Sequence, residues 1–141
     1  MTVVGFNFTK VNAEKKQAIK GKININNNVT IKNIEEIDLA FGKDQKGLKF
    51  RFEFIAKYDP EVASINLEGE VVYMIKVDEA KDILTMWKKE KKIAPGVMSK
   101  VLNTTLTKCN IQALILSNDL NLPAPIPLPK VGIKKDSTLL E

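Results

Sequence analysis

Apolar and polar residues alternate through the first half of the chain, the period of a half-buried strand. Val4, Phe6 and Phe8 share one parity, and Val11 and Ala13 take the other, which predicts a strand with a bulge or twist near Thr9 and Lys10. A second series holds odd positions over a longer stretch: Ile19, Ile23, Ile25, Val29 and Ile31. Its parity runs straight across Asn26, Asn27 and Asn28, which favours one long strand over a hairpin turning at the asparagines. The clearest element is residues 48–58, where Leu48, Phe50, Phe52, Phe54, Ala56 and Tyr58 line one face and Lys49, Arg51, Glu53 and Lys57 the other. Asp59 and Pro60 supply turn chemistry, and Ile65, Leu67, Val71, Tyr73 and Ile75 continue the period, so the pair reads as an antiparallel hairpin. Val72 and Met74 are apolar on the opposite face of the return strand, which suggests a cover there such as another subunit.

At Val77 the period changes from 2 to 3.6. Asp78 is the expected N-cap, and Ala80, Ile83, Leu84 and Trp87 form an apolar stripe. Lys88, Lys89, Lys91 and Lys92 load the last turn, where cations favour the helix dipole, and Pro95 with Gly96 is expected to break the helix. A second helix is predicted from about Val97 to Leu120, with Met98, Val101, Leu102, Leu106, Cys109, Ala113, Leu116 and Leu120 inward. Ile111, Leu114 and Ile115 spill onto its other side, and a helix apolar nearly all round needs enclosure; these three residues are the expected oligomer interface. The chain then reads LPAPIPLP. Prolines at every second position from Pro123 to Pro129 remove half the backbone donors, leaving an extended arm or edge strand with Leu122, Ala124, Ile126 and Leu128 on one side. Residues 1–131 form one expected domain and 132–141 a flexible tail.

A length of 141 residues, 44% of them hydrophobic, suits a single domain. No uncharged apolar run approaches the roughly 20 residues needed to span a bilayer, and the N-terminal segment lacks the layout of a signal peptide, so a cytoplasmic location without direct membrane insertion is expected. Residues 1–32 carry six lysines against Glu14 alone, so the whole net charge of +5 resides there. That basic segment supports a single-stranded nucleic-acid platform of Lys10, Lys16, Lys20 and Lys22 with Phe6 and Phe8, against the simpler reading of a solvated strand face. The absence of histidine removes the commonest general base, and one cysteine, Cys109, cannot build a multi-cysteine zinc site. The seven glycines are scattered rather than gathered in a phosphate loop. Glu35, Glu36 and Asp38 read as a solvated edge, Cys109 as a buried thiol and Trp87 as core. No catalytic residue, metal site or cofactor is expected, and an enzyme is the least favoured class.

The element order, together with the segment KCNIQALILSNDLNLPAPIPLPKV, resembles the SecB-like protein-export chaperones, in particular small archaeal-type members. The positions that carry the likeness are Cys109 to Ile111, Leu120 to Pro123 and Ile126 to Val131, and the opening GFNFTKVNAEKK looks like the family's first strand and crossover. The resemblance implies an α+β fold, a four-stranded antiparallel sheet with two C-terminal helices packed on one face, assembled as a homotetramer, a dimer of dimers. It also implies an ATP-independent holdase that binds unfolded or preprotein segments in apolar grooves. Bacterial members end in a second helix and a metal-binding cysteine-histidine tail that engages the translocation motor; this chain has neither, so no motor partner is carried over. Relatives that serve toxin-antitoxin systems differ in their clients. Apolar residues whose parity or proline context argues against full burial are the expected client contacts: Phe6, Phe8, Val72, Met74, Leu122, Ile126 and Leu128. They are expected to meet where the first strand, the outer face of the fourth strand and the arm converge, with Leu122 as hinge contact.

Overall fold

Strand alternation becomes burial in the central hairpin. The computed structural model describes residues 1–38 and 44–126. Its elements run β1 (Thr2–Lys15), β2 (Asn24–Ile37), β3 (Gln45–Asp59), β4 (Ala63–Lys76), α1 (Val77–Glu90) and α2 (Pro95–Asp119). Even positions of β3 from Leu48 to Tyr58 and odd positions of β4 from Ala63 to Ile75 are all buried. The register sets them side by side, Phe50 against Val71, Phe54 against Leu67 and Tyr58 against Ala63, so two strands make one continuous apolar face. The sheet is antiparallel throughout, in the order β1-β4-β3-β2.

That order puts β1 and β2 on opposite edges, so residues 16–23 must cross the end of the sheet. The crossover is tied to the β3–β4 turn: the Lys16 N–H donates to the Val62 carbonyl at 2.7 Å and the Gln17 amide to the Pro60 carbonyl at 3.1 Å. Ile19 and Ile23, which share the parity of β2, lie in this crossover and pack partly buried against the core. The strand begins at Asn24, and Asn26 to Asn28 pair with Lys57, Ala56 and Ile55 inside it, as one strand without a hairpin.

Bulges explain both parity breaks. A register shift between Phe8 and Lys10 lets Phe6 and Phe8 face Val71 and Gly69 while Val11 and Ala13 face Leu67 and Ile65, all on the covered side. A second between Ile31 and Asn33 brings Ile34 to the side of Ile31, and both are buried.

Both helices cover this face. α1 buries Ala80, Ile83 and Trp87. Its N-cap is Lys76 rather than Asp78, which sits in the first turn with Glu79, where negative charge still favours the dipole. Pro95 does not break a helix but opens α2 at its start, where its missing N–H costs nothing. α1 ends instead at Lys91, which adopts a left-handed φ of 55°. In α2 the fully enclosed residues recur every fourth position: Val101, Thr105, Cys109, Ala113 and Ser117. Small side chains there let the helix approach the sheet closely, and the larger Leu102, Leu106, Leu116 and Leu120 are only half buried along its flanks. The Tyr73 hydroxyl fixes the register of the start of α2 by donating to Thr104 Oγ1 at 2.9 Å.

The opposite face of the sheet is polar and laced with ion pairs, Lys10–Glu68, Lys32–Glu53, Lys49–Glu70 and Arg51–Glu35. Half-buried Val72 and Met74 lie at the end of this open face near α1. The expected domain end at 131 and the tail 132–141 lie outside the described residues.

Candidate functional site

The α2 terminus launches the arm through a defined turn. Leu120 caps the helix, Asn121 takes φ 53°, the Asn121 N–H donates to the Asn118 carbonyl, and the Leu122 N–H reaches back to Ser117 at 2.8 Å. These two bonds form a Schellman motif, with asparagine in the left-handed position that glycine usually fills. Lys15 Nζ adds a bond to the Leu120 carbonyl at 3.1 Å, tying the corner to β1. Leu122, expected to escape full burial as a client contact, is buried at the foot of the arm. The chain then crosses the covered face from the β1 side toward β2: the Tyr58 hydroxyl donates to the Pro123 carbonyl at 2.6 Å, and the Asn27 amide donates to the Pro125 carbonyl. Pro125 is buried, Ala124 and Ile126 half buried.

The seven expected client contacts do not converge. Phe6 and Phe8 form an aromatic corner with Phe52 on the covered face, with ring centroids 5.1 Å apart for Phe6–Phe8 and 5.4 Å for Phe6–Phe52. The Lys108 ammonium of α2 lies 5.8 Å from the Phe6 ring. Gly69 makes room for this corner, because a side chain there would meet Phe52 Cζ at 2.8 Å. Val72 and Met74 sit on the other face of the sheet. Leu122 and Ile126 belong to the arm on the covered side, and Leu128 lies outside the described residues.

A single chain leaves apolar surface exposed. Ile111 is 55% and Ile115 50% exposed on the outer side of α2, with Leu114 half buried between them. Val3, Val4 and Val11 are exposed on β1, whose second edge pairs with no strand among the described residues. A groove of about 470 Å³ between α1 and the start of α2 is walled by Ile75, Ile83, Met86 and Val97, with Glu79 and Asp82 beside them. Sequence reasoning missed this groove; its one signal was Met86, apolar and off the α1 stripe.

Reactive chemistry is muted. Burial pushes the Cys109 thiol up to about 12 and the Tyr58 hydroxyl likewise to about 12. Tyr73 is also raised by burial, against the opposing effect of its bond to Thr104. Among the described residues no three acidic or cysteine groups are placed to hold a metal, and no helix is long and apolar enough to cross a membrane. The nucleic-acid platform is divided by the sheet: Lys10 pairs with Glu68 on the open face, whereas Phe6 and Phe8 pack on the covered one. Trp87 is buried, with the Lys91 ammonium 5.1 Å from its ring.

No family model and no curated protein matches the sequence. Among solved structures the fold is similar to the SecB-like chaperone Rv1957 of Mycobacterium tuberculosis, determined in complex with a ChAD peptide from the HigA1 antitoxin Rv1956. The TM-score is 0.54 at 11% identity, over 93% of this chain and 89% of that one. The two chains share a fold, a four-stranded antiparallel sheet with helices.

Proposed function

We propose that this protein is an ATP-independent holdase that keeps unfolded polypeptide segments from aggregating. The observation that supports it most is the fold shared with a chaperone solved with a peptide bound. The chain's own surface is consistent: a β1 edge left unpaired among the described residues and a methionine-walled groove suit many sequences, and a holdase needs no catalytic group. The clients in this reading are extended segments of unfolded chains, export preproteins among them. In this reading the protein works in the cytoplasm, without enzymatic activity, as a dimer of dimers. Ile111, Leu114 and Ile115 meet a second copy, which accounts for apolar groups that a lone chain leaves in water.

Binding of a fluorescently labelled, permanently unfolded polypeptide tests the reading. Micromolar or tighter binding of that chain, with none of its folded counterpart and no effect of nucleotide, is the expected result. Equal binding of both forms, or binding of neither, contradicts it.

A further inference from the structure

We propose that the arm from Pro123 to Ile126 is an internal stand-in for a client, lying in a cradle on the covered face where an extended polypeptide segment binds by displacing it. The inference rests on the holdase reading and assigns that reading a site and a regulator.

The cradle recognises main chain rather than side chain. Its two donors are the Tyr58 hydroxyl on β3 and the Asn27 amide on β2, and both address arm carbonyls, those of Pro123 and Pro125. Carbonyls two residues apart point the same way in an extended segment, so any extended chain presents acceptors at this spacing. Ile25 and Val29, half buried, flank Asn27 on β2, and Ile25 pairs with Tyr58. An apolar floor with two carbonyl-directed donors therefore suits a segment of almost any sequence.

The arm is a competitor built to leave. Prolines at 123 and 125 have no N–H, so the arm accepts two hydrogen bonds at these residues and donates none there. A client segment offers the same carbonyls and adds amide donors. The hinge stays in place during exchange, because the Schellman turn and buried Leu122 anchor the chain just before Pro123. Proline rigidity keeps the docked arm populated at small entropic cost, which protects Tyr58 and Ala56, both fully buried, until a client arrives.

Loosening the arm tests this without touching the cradle. Pro123→Gly with Pro125→Gly raises the entropic cost of docking, so a reduced, carboxymethylated and labelled polypeptide is expected to bind about 3- to 10-fold tighter than to the parent. In that background Asn27→Ala removes a donor the client uses and is expected to weaken binding about 2- to 10-fold. Should the double variant fail to fold, Pro125→Gly alone carries the same sign. Parent binding with unchanged or weaker binding by the loosened variant overturns the inference and leaves the holdase reading standing. Binding by neither protein overturns both.

Discussion

Replacing Gly69 by alanine inserts one methyl group where β4 packs closely against the Asn7 carbonyl of β1 and the Phe52 ring of β3. The new Cβ would stand 2.8 Å from Phe52 Cζ and 3.1 Å from Cε2, and closer still to the Asn7 carbonyl oxygen on β1. The ring cannot retreat freely, because Phe6 stacks on it at 5.4 Å and Phe8 meets its edge at 6.2 Å. The carbonyl is main chain, beside the bulge between Phe8 and Lys10, so relief there means lifting β1 from β4. Overpacking of this kind costs about 1–3 kcal/mol. Lower entropy of the unfolded alanine chain offsets roughly 0.4–1 kcal/mol. The net loss of about 1–2 kcal/mol corresponds to a fall in melting temperature of roughly 3–8 °C for a chain of this size. Circular dichroism melts at matched protein concentration read it, since assembly makes the midpoint concentration-dependent. Introduced into a Phe52→Leu background, Gly69→Ala should cost less than it does in the parent, because the clash with the ring is then gone and the one with the Asn7 carbonyl remains. A Gly69→Ala protein as stable as its parent would refute the packing argument and reopen Phe6 and Phe8 as free surface.

Ile111→Lys should leave the subunit folded, since the side chain is 55% exposed within one chain, yet shift the sedimentation-equilibrium mass downward. An unchanged mass places the subunit interface elsewhere. Cys109, its thiol pushed up to about 12 by burial, should resist a maleimide at pH 8 for hours and react at once in denaturant; fast labelling of the native protein contradicts its burial. Tyr58, raised from 10.0 to about 12 by burial, holds its proton more tightly when folded. Its contribution to stability is therefore complete below pH 10 and lost as pH rises toward 12, so urea midpoints should fall across that window. Tyrosinate absorbance reaching half of its final value near pH 10, with native circular dichroism intact, would be the wrong outcome.

Much of the fold was legible because the hydrophobic period is strong in its central elements. The alternation from Leu48 to Tyr58 and its return through Ile75 specified the hairpin, its turn and its buried face. The parity change after Phe8 located a bulge because period-2 patterns cannot switch face otherwise. Helix ends were less legible. Asp78 and Pro95 are each favourable in two neighbouring positions, N-cap or first turn and breaker or first residue, and only backbone geometry decides. In α2 the apolar stripe placed Val101, Cys109 and Ala113 inward along with four leucines, whereas the close approach of helix to sheet leaves the leucines half buried on the flanks and encloses Thr105 and Ser117, which a stripe of apolar residues does not pick out. The candidate site was the least legible part. Half-exposed apolar residues could be named from the sequence, but parity is relative within each strand. Parity placed Val72 and Met74 on the outer face of their strand, and the β1–β4 register puts Phe6 and Phe8 on the covered one, so these four cannot line a single groove. The cradle escaped notice because its donors, Asn27 and Tyr58, read as a polar strand residue and a core aromatic.

The central claim is most directly tested by light scattering of an aggregating, chemically denatured test protein diluted with and without this protein, in the absence of nucleotide. The account predicts suppression that saturates near one oligomer per test-protein chain and does not change on adding ATP. Scattering that follows the same course with a several-fold excess of the protein would contradict it.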